Sequence, residues 1–468
     1  MRKFKLLVKI LLSISFIVLT VILFKVQFLS DLLLAVFFGL GLLLVALSLW
    51  SKRTWIQIIL IIVLVLESFG INYVQRTLDN IIIYEPNETR TILFVVLEEG
   101  LISSLSNLSD PKIGISVGFD QETTDTLKAE FETKVTNVEW ISTGSNEETY
   151  DALVAGTIDV MVIDSAMVDF ILEKAPDFEV LTKEIWAIEK SYLKEVIVKN
   201  ADVLNESFSI LISGIDTGGA VSRRSRSDVN IVMVVNPKKG TILLVTVARD
   251  TYVNLGCQTG AYDKLTHAGL YGVSCSVKTI ENLLDIDINY YVRLNFSSFI
   301  KIVDILGEIE VYSDRTFDTT YFGPKRPSLH FEEGMNTMDS REALIFSRER
   351  KSLAEGDVDR GKHQMEVIKG IVNKLTSFSS LTRIESIIAA IRTSIDTNFP
   401  EENLSKMVKY QITWNPKWVF TSKVLVYKED YLPTYSYGTT PLFVVHPSAQ
   451  SLKEAHDMIM AALNKSTP

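Results

Sequence analysis

The sequence predicts a mixed α/β protein in three parts: three transmembrane helices, a small α/β domain, and a larger domain with a central mixed sheet flanked by helices. Three observations support this fold class. Long apolar segments fill the amino terminus, strand and helix patterns then alternate, and a β-hairpin pattern lies in the second half of the chain. The predicted domain boundaries are 1–75, 76–200 and 205–468.

Three nearly unbroken apolar segments predict the transmembrane helices. They cover residues 6–24, 32–50 and 54–72, and each is long enough to cross a hydrocarbon core of about 30 Å. Basic residues before the first segment and in the turn Ser51-Lys52-Arg53 place both of those ends in the cytoplasm. Because the number of spans is odd, the chain after about Tyr73 is predicted to lie outside, on a multi-pass protein of the cell membrane.

The charge balance argues against nucleic acid as a partner. The chain carries a formal net charge of −10, whereas residues 1–72 carry seven Lys/Arg and two Asp/Glu, so the remainder carries −15. An acidic exterior part does not attract nucleic acid nonspecifically. Any anion site there must therefore be built locally from arginines.

Residues 76–200 show alternating strand and helix patterns, which predict a compact α/β domain with a mostly parallel sheet. The polar stretch Glu189–Glu206 is predicted to be a linker. The patterns are strands at Ile92–Leu97, Ile113–Val117, Val135–Ile141 and Ile158–Ile163, and helices at Gln121–Thr133, Glu147–Ala155 and Ser165–Lys174.

The most informative stretch of the chain runs from Asp228 to Arg249. Two strand patterns flank a Pro-Lys-Lys-Gly turn, so a β-hairpin is predicted. If Asn236 pairs with Thr241, the antiparallel register sets Asp228 opposite Arg249 at the open end of the hairpin. A carboxylate and a guanidinium would then share one rim.

A second carboxylate, Asp216, ends an apolar run about a dozen residues before Asp228. Arg223, Arg224 and Arg226 lie between the two acids. Two carboxylates among fixed cations suit a divalent metal ion and a phosphate group.

Arg348 and Arg350 follow a helix pattern that has capping residues at its start, Asp339–Ser347. Residues two apart on a helix do not face the same way, so the helix must end or distort here if both arginines contact one ligand. The alternative is that both are solvated.

Asp357, Arg360 and Gln364 sit three and four residues apart at the start of the next helix pattern. They line one helical face, beside an apolar stripe. The alternative is an exposed Asp-Arg pair that contributes only a few tenths of a kcal/mol.

Cys257 and Cys275 are the only two cysteines, and both lie in the predicted exterior part. A disulfide between them would stabilise the fold by about 3 kcal/mol on the loop-entropy model. The alternative is two free, buried thiols.

Taken together and in order, these motifs resemble the LytR-CpsA-Psr family of phosphotransferases. The resemblance covers about residues 205–400, and the three spans followed by an accessory domain resemble the streptococcal branch of the family. The motifs are Ser213-Gly-Ile-Asp216, Ser225-Arg-Ser-Asp228, Ala248-Arg-Asp250, Phe346-Ser-Arg-Glu-Arg350, and Gly356-Asp-Val-Asp-Arg360 with Gln364.

The resemblance implies roles for these residues. Asp216 and Asp228 would hold Mg²⁺, with Mn²⁺ as the alternative ion. Arg249, Asp357 and Arg360 would be catalytic, with Asp357 orienting an arginine or assisting proton transfer. The pyrophosphate of a polyprenyl carrier would be bound by Arg226, Arg249, Lys264, Arg348, Arg350, Arg360 and Gln364.

Two histidines depart from the family pattern. His363 stands where the family often has arginine, and His267 lies in a segment that commonly contains asparagine. We predict that both are structural, and neither is assigned as a general base.

The resemblance implies transfer of capsular polysaccharide from an undecaprenyl pyrophosphate carrier to cell-wall peptidoglycan, with the prenyl chain in a groove between sheet and helices. Magnesium and arginines would stabilise charge on the departing pyrophosphate group as a sugar hydroxyl of the wall attacks. The implied partners are the lipid-linked polymer, peptidoglycan, the membrane and other capsule-assembly proteins.

Two other functions remain open from the sequence. A polyprenyl pyrophosphate phosphatase would differ only in that water replaces the sugar hydroxyl. A membrane-anchored regulator or assembly factor of capsule synthesis would bind the lipid carrier without transferring the polymer.

Overall fold

The structure is a computed structural model that describes most of the chain. The described residues are 2–25, 31–51, 53–79, 87–116, 119, 121–193, 199–215, 221, 223–320, 328–377, 380 and 383–464. Asp216, one of the two predicted metal ligands, lies outside the described residues.

Three helices begin the chain: α1 (Arg2–Lys25), α2 (Asp31–Trp50) and α3 (Thr54–Asp79). In α1 and α3, residues 3–24 and 54–72 are long and apolar enough to cross a membrane. The corresponding stretch of α2, residues 34–50, is shorter. Two helices of the described chain, and not the expected three, therefore combine the length and composition that this measure requires of a membrane span.

The small domain is a five-stranded sheet with helices packed against it. Its strands have the order β3-β2-β4-β1-β5. Its elements are β1 (Asn87–Leu97), β2 (Lys112–Ser116), β3 (Glu139–Thr143), β4 (Val160–Asp164), β5 (Thr182–Leu193), α4 (Gln121–Glu132), α5 (Asn146–Val154), α6 (Val168–Lys174) and α7 (Phe178–Leu181).

Two predictions for this domain were wrong. β2 is parallel to β3 and β4, but β1 is antiparallel to both β4 and β5, so the sheet is mixed rather than mostly parallel. Residues 189–193, which were assigned to a linker, belong to β5 and pair with residues 87–91 of β1. This strand is polar because part of it is exposed at the sheet edge.

The larger domain supplies the remaining strands and helices. Its strands are β6 (Phe208–Ile215), β7 (Ser227–Asn236), β8 (Thr241–Thr246), β9 (Tyr252–Asn254), β10 (Tyr262–Lys264), β11 (Tyr290–Asn295), β12 (Ile309–Ser313), β13 (Phe317–Asp318), β14 (His330–Phe331), β15 (Gly334–Met338), β16 (Asp396–Thr397), β17 (Val419–Val424), β18 (Tyr427–Thr434) and β19 (Gly438–Pro447). Its helices are α8 (Leu265–Ala268), α9 (Val273–Leu284), α10 (Phe296–Leu306), α11 (Ser340–Arg348), α12 (Asp357–Leu375), α13 (Ile384–Ser394), α14 (Glu401–Trp414) and α15 (Ala449–Ala462).

A six-stranded mixed sheet forms the centre of this domain, with the order β16-β11-β6-β7-β8-β17. β11 is parallel to β6 and β17 is parallel to β8, whereas the other neighbours are antiparallel. Alternate residues of β8 face opposite sides: Leu243 and Val245 pack with α9 and α15, and Ile242 and Leu244 pack with α12. The predicted mixed sheet flanked by helices is therefore confirmed.

The β7–β8 hairpin has the register that the sequence predicts. Asn236 pairs with Thr241 and Ile231 pairs with Thr246. The same register continues beyond the strands, where the Val247 N–H donates to the Asn230 carbonyl at 2.9 Å. It brings Asp228 and Arg249 together, with a guanidinium nitrogen 2.6 Å from the carboxylate.

Two glycines let helix α12 pack closely on both sides. A Cβ at Gly361 would lie 3.0 Å from the Thr246 hydroxyl oxygen of β8, and a Cβ at Gly370 would lie 2.7 Å from the Glu310 carbonyl oxygen of β12. Nine residues at 3.6 per turn place these glycines on opposite faces of the helix. Helix α12 is therefore held between the central sheet and the small β12–β15 sheet.

A buried ion network joins the two exterior domains. Glu88 of β1 is within 3.0 Å of Arg293 of β11 and 3.1 Å of Arg224. Arg293 is 1% exposed and also contacts Asp396 at 2.8 Å. The small domain is thus fixed to the central sheet by a carboxylate that takes part in neutralising a buried guanidinium.

Cys257 and Cys275 form a disulfide, as predicted. Cys257 lies in the loop between β9 and β10, and Cys275 lies in α9. The bond therefore ties the β9–β10 hairpin to a helix that packs on the central sheet.

Candidate active site

A groove lies between the central sheet and the helices of the larger domain. Its volume is about 560 Å³. Strands β6, β7 and β11 form the floor, and α10, α11, α12 and α13 supply the walls. Most of the lining is apolar, including Ile212, Val292, Phe299, Val367, Ile368, Ile371, Val372, Leu375, Ile391 and Ile395.

Charged side chains are concentrated where the hairpin, the end of α11 and the start of α12 meet. They are Asp228, Arg249, Arg348, Glu349, Arg350, Lys351 and Arg360. Five of these seven side chains are cationic. The groove therefore combines a largely apolar lining with a cationic site, which suits an apolar molecule with an anionic head group.

The hairpin contributes Asp228 and Arg249 in fixed positions. Asp228 Oδ1 accepts hydrogen bonds from Arg249 Nη1 at 2.6 Å and from the Thr266 hydroxyl at 3.3 Å. Asp250 lies beside them, 2.9 Å from Lys264 Nζ and 3.9 Å from Arg249 Nε. Burial alone would raise the pKa of Asp250, but Lys264 and Arg249 hold it below its usual value.

Helix α11 delivers two arginines by ending between them. Its last residue is Arg348, and Glu349 then adopts an extended conformation. Arg348 stacks over the Phe296 ring at 3.9 Å, and both Arg348 and Arg350 line the groove. The helix therefore ends between the two arginines, as their spacing requires if both contact one ligand.

Glu349 organises the loop that follows α11. Its Oε1 accepts hydrogen bonds from the backbone N–H groups of Arg350 and Lys351 at 2.9 and 2.8 Å, and its Oε2 accepts one from Thr320 at 2.8 Å. Burial opposes ionisation, but these donors lower the pKa of Glu349 below its usual value. This buried carboxylate holds the loop carrying Arg350 and Lys351 in one conformation.

The first turns of α12 present the Asp357, Arg360 and Gln364 face. Asp357 forms an ion pair with Arg360, and Gln364 donates a weak hydrogen bond of 3.4 Å to the Ser347 carbonyl. Both Arg360 and Gln364 line the groove and are largely buried. The exposed-pair alternative for Asp357 and Arg360 is therefore wrong.

The Asp357 carboxyl is the acid of this site whose pKa is raised. Burial is the largest cause, and the nearby carboxylates Asp250 and Asp228 add to it, whereas Arg360 and Arg249 oppose it. A carboxyl group with a raised pKa beside arginines can accept a proton more readily than an ordinary aspartate.

The structure brings together most, but not all, of the predicted site residues. The groove lining includes Asp228, Arg249, Arg348, Arg350, Arg360 and Gln364. Asp357 lies just behind it, paired to Arg360, and Lys264 reaches the site through Asp250. Arg226 is partly buried in the segment before β7 and does not appear in the described groove lining.

Three residues were missed by the sequence prediction: Asp250, Glu349 and Lys351. Asp250 and Glu349 stand inside the quoted motifs, each next to an arginine assigned to the site, and that adjacency was the available signal. Lys351 directly follows a motif. Its place in the groove depends on the turn that Glu349 stabilises.

Both histidines are buried away from the groove, as expected for structural residues. His363 stacks on the Phe346 ring at 4.0 Å, and burial lowers its pKa to about 4. His267 Nδ1 lies 2.5 Å from Asp263 Oδ1 and meets the Phe170 ring of the small domain.

The predicted metal site is only partly within the described chain. Among the described residues, no cluster of three or more His, Cys, Asp and Glu side chains forms a metal cage. Asp228 offers one carboxylate at the groove, 17% exposed at the side chain. Magnesium is typically held by one or two carboxylates together with substrate phosphates, so this sparse donor set fits that ion.

The fold and site define a protein with an apolar groove that leads to an arginine-rich centre. The LytR_cpsA_psr family model matches residues 180–456, which is more than half of the chain. The chain therefore belongs to the LytR_cpsA_psr family.

Two curated relatives carry the name polyisoprenyl-teichoic acid–peptidoglycan teichoic acid transferase TagU. The one from Enterococcus faecalis is 36% identical over 230 residues, which is 48% of this chain and 72% of the relative. The one from Bacillus subtilis is 36% identical over 212 residues, which is 45% of this chain and 65% of the relative. The crystal structure of B. subtilis TagU is 29% identical, with a TM-score of 0.42, and the match covers 56% of this chain and 99% of that one.

Proposed function

We propose that this protein transfers a glycopolymer from a polyprenyl pyrophosphate carrier in the membrane to peptidoglycan. The observation that carries the proposal is the continuity of the apolar groove with the cationic site formed by Arg249, Arg348, Arg350 and Arg360. The names of the relatives, which describe transfer from a polyisoprenyl carrier to peptidoglycan, support the same chemistry.

The groove would hold the proximal part of the prenyl chain. Burial of apolar surface contributes about 25 cal/mol per Å², so a channel lined by Ile, Leu, Val and Phe side chains stabilises a hydrocarbon chain without any directional contact. The lining therefore suits a long polyisoprenoid better than a compact ligand.

The arginines would bind the pyrophosphate. Guanidinium groups engage phosphate oxygens through paired N–H donors, and each charge-assisted hydrogen bond contributes about 1.5 to 3 kcal/mol. The amino terminus of α12 lies at the same place and adds the partial positive charge of the helix dipole. These groups also stabilise negative charge as it builds up on the departing phosphate.

The transfer step is a displacement at phosphorus. A hydroxyl oxygen of the wall glycan forms the new P–O bond, and the bond between that phosphorus and the prenyl phosphate breaks, with its electron pair remaining on the prenyl phosphate. We propose Asp357 as the group that accepts the hydroxyl proton, because its carboxyl pKa is raised and it is paired with Arg360 beside the groove.

We propose Mg²⁺ as the cofactor, held by Asp228 together with Asp216. The last described residue before Asp216 is Ile215, which pairs with Ser227, the neighbour of Asp228. When bound, the ion would supply charge neutralisation to the pyrophosphate oxygens. Mn²⁺, which takes similar oxygen ligands, is the alternative.

The donor is a membrane lipid, and the amino-terminal helices would keep the enzyme beside it. α1 and α3 have the length and composition of membrane spans. We propose that α2 also crosses, because its 20 residues rise about 30 Å. A multi-pass topology with three spans would place the disulfide-bonded domain outside the cytoplasm, where disulfides persist.

We propose capsular polysaccharide as the polymer. What supports it is the resemblance of the sequence to the streptococcal branch of the family, which includes the accessory domain that mostly precedes the matched residues 180–456. Other capsule-assembly proteins are the partners that this added domain would contact.

The test replaces Arg249 by alanine in the full-length protein reconstituted with polyprenyl pyrophosphate-linked polysaccharide, peptidoglycan and magnesium. Loss of one preorganised cationic donor is expected to lower the transfer rate by about 100-fold or more. The measurement is radiolabelled sugar recovered in the wall fraction. Arg341→Ala, at an exposed position of α11 outside the groove lining, is the matched control.

The same assay separates the other functions. Free phosphate released without sugar in the wall fraction would identify a phosphatase. Binding of the carrier by the wild-type protein without either product would favour a regulator or assembly factor. Full transfer by Arg249→Ala would remove the arginine site from the mechanism.

A further inference from the structure

Aromatic side chains lie on the surface beside the candidate active site. Tyr252 and Tyr262 stack with ring centroids 5.5 Å apart, and His446 meets Tyr252 edge-on, also at 5.5 Å. Tyr262 is 52% exposed, so the ring that stacks on Tyr252 is open to solvent. We call these three residues the aromatic surface, and they are absent from the described lining of the groove.

The aromatic surface is continuous with the site through the β9–β10 hairpin. Tyr252 pairs directly with Lys264 across the two strands. Tyr262 and Lys264 are two residues apart and so lie on the same face of β10, whereas Asp263 between them is fully buried. Lys264 contacts Asp250, which in turn lies 3.9 Å from Arg249. The tyrosines are therefore connected to Arg249 through Lys264 and Asp250, and they stand outside the described groove lining.

The chemistry of this surface suits sugar rings. Tyrosine offers a flat apolar face, on which the C–H face of a pyranose can stack, and a hydroxyl at its edge. Exposed polar groups border the rings: Asn254 pairs with Tyr262 across the hairpin, and Asp430 lies 3.5 Å from His446. A flat aromatic strip with a polar border is complementary to a chain of sugars.

We propose that the aromatic surface binds the acceptor, a glycan strand of peptidoglycan, and directs its hydroxyl to the phosphate held at Arg249. The inference rests on the proposed function and adds a binding site for the second substrate. In a displacement at phosphorus, the attacking and leaving oxygens lie roughly in line on opposite sides. Because the prenyl phosphate would depart toward the groove, the acceptor would enter from outside it, and the aromatic surface is connected to Arg249 outside the described groove lining.

The disulfide makes this surface rigid before the acceptor arrives. Cys257, in the loop between β9 and β10, is bonded to Cys275 of α9. The backbone of Tyr262 also accepts a hydrogen bond from Tyr435 N–H at 2.9 Å, which joins it to the β18–β19 hairpin. A preorganised surface loses little conformational entropy on binding a glycan.

The experiment compares two binding reactions of the full-length protein in lipid nanodiscs. The first probe is soluble, un-cross-linked peptidoglycan glycan strands, and the second is polyprenyl phosphate. The double variant Tyr252→Ala/Tyr262→Ala is expected to bind the glycan at least about 10-fold more weakly, because truncating aromatic anchors removes most of the contact. Its affinity for polyprenyl phosphate is expected to equal that of the wild type.

Two variants serve as controls for ring stacking and for general surface effects. Tyr262→Phe keeps the ring face and is expected to retain glycan binding within about twofold, since the stacking face and not the hydroxyl makes the main contact. Tyr312→Ala removes a tyrosine of similar exposure, 45%, from β12 and is expected to change neither affinity.

Each outcome decides one question. Equal glycan binding by the wild type and the double variant, or no glycan binding by a wild type that binds polyprenyl phosphate, would overturn the acceptor site. Tyrosine-dependent binding of soluble capsular polysaccharide in place of wall glycan would assign the surface to the donor and also overturn it. If the wild type did not bind polyprenyl phosphate, the proposed function would be refuted. The glycan affinities of the wild type and the double variant would still show whether the tyrosines bind glycan.

Discussion

At the scale of single residues, the site depends on one acid kept in an unusual state. Burial and the neighbouring carboxylates raise the pKa of Asp357, although Arg360 is paired with it. The ionised form is the proton acceptor in the proposed step, so transfer is expected to fall as pH drops through this raised pKa. A pH–rate profile of the reconstituted enzyme checks this, and a flat profile over the acidic range would contradict it.

Asp357→Asn is expected to separate activity from stability. Removing a general base typically costs about 100-fold to 10,000-fold in rate. The effect on stability is expected to differ from the effect on rate. An acid whose pKa is raised by folding stabilises the fold in its protonated form, and this contribution is lost as pH rises through the pKa of the folded state. The amide resembles the protonated form, so the free energy of unfolding at pH 7 is expected to be unchanged or higher. If Asp357→Asn lowered the thermal midpoint as well as the activity, the role of Asp357 would be structural.

Sequence patterns predicted which residues form the site better than they predicted the contacts that those residues make. The hairpin register correctly places Asp228 opposite Arg249. The helical spacing correctly places Asp357, Arg360 and Gln364 on one face of α12. Lys351 was missed because its position depends on the turn that Glu349 stabilises after α11, and Asp250 was missed because its ion pair with Lys264 forms only when the chain folds. Whether Arg226 reaches the pyrophosphate stays a prediction.

At the scale of elements, the disulfide holds the β9–β10 hairpin against α9. The bond closes a loop of 18 residues in sequence separation. Cys257→Ser with Cys275→Ser is expected to lower the free energy of unfolding by about 3 kcal/mol, because the unfolded chain regains the entropy of the open loop. Chemical denaturation of the exterior domains measures this.

The matched control for that prediction is the wild type treated with a reducing agent. It should lose about the same stability as the double serine variant, and the variant itself should be insensitive to reduction. If reduction destabilised both proteins equally, the effect would not come from this bond.

Element type was predicted more reliably than strand direction. Apolar alternation located β1, β2 and β4, and the Pro-Lys-Lys-Gly turn located the β7–β8 hairpin. The direction of β1 relative to β4 is set by long-range pairing, which a local pattern does not encode. β5 was mistaken in part for a linker because polar residues on an exposed strand edge resemble a loop.

At the scale of the whole molecule, the two exterior domains are coupled through Glu88 and Arg293. Removing one partner of a buried ion pair leaves the other charge uncompensated, at a cost of about 3 to 5 kcal/mol. Glu88→Ala is therefore expected to destabilise the protein by about that amount and to split a single thermal transition into two. Differential scanning calorimetry is the measurement.

Glu139→Ala, at an exposed position of β3 in the same domain, provides the comparison. It is expected to change the thermal midpoint little. If Glu88→Ala behaved like Glu139→Ala, Asp396 alone would be enough to neutralise Arg293, and the domains would not be coupled through this network.

Helix α12 has a consequence for chemical intervention. Because Gly361 and Gly370 bring the helix against backbone or side-chain atoms on both of its sides, the width of the groove is set by the fold and not by what fills it. A drug-like molecule shaped to this slot would meet a receptor that is already open, so none of its affinity would be spent on separating the walls. Rigid, elongated inhibitors carrying an anionic terminus should therefore outperform flexible ones of equal apolar area.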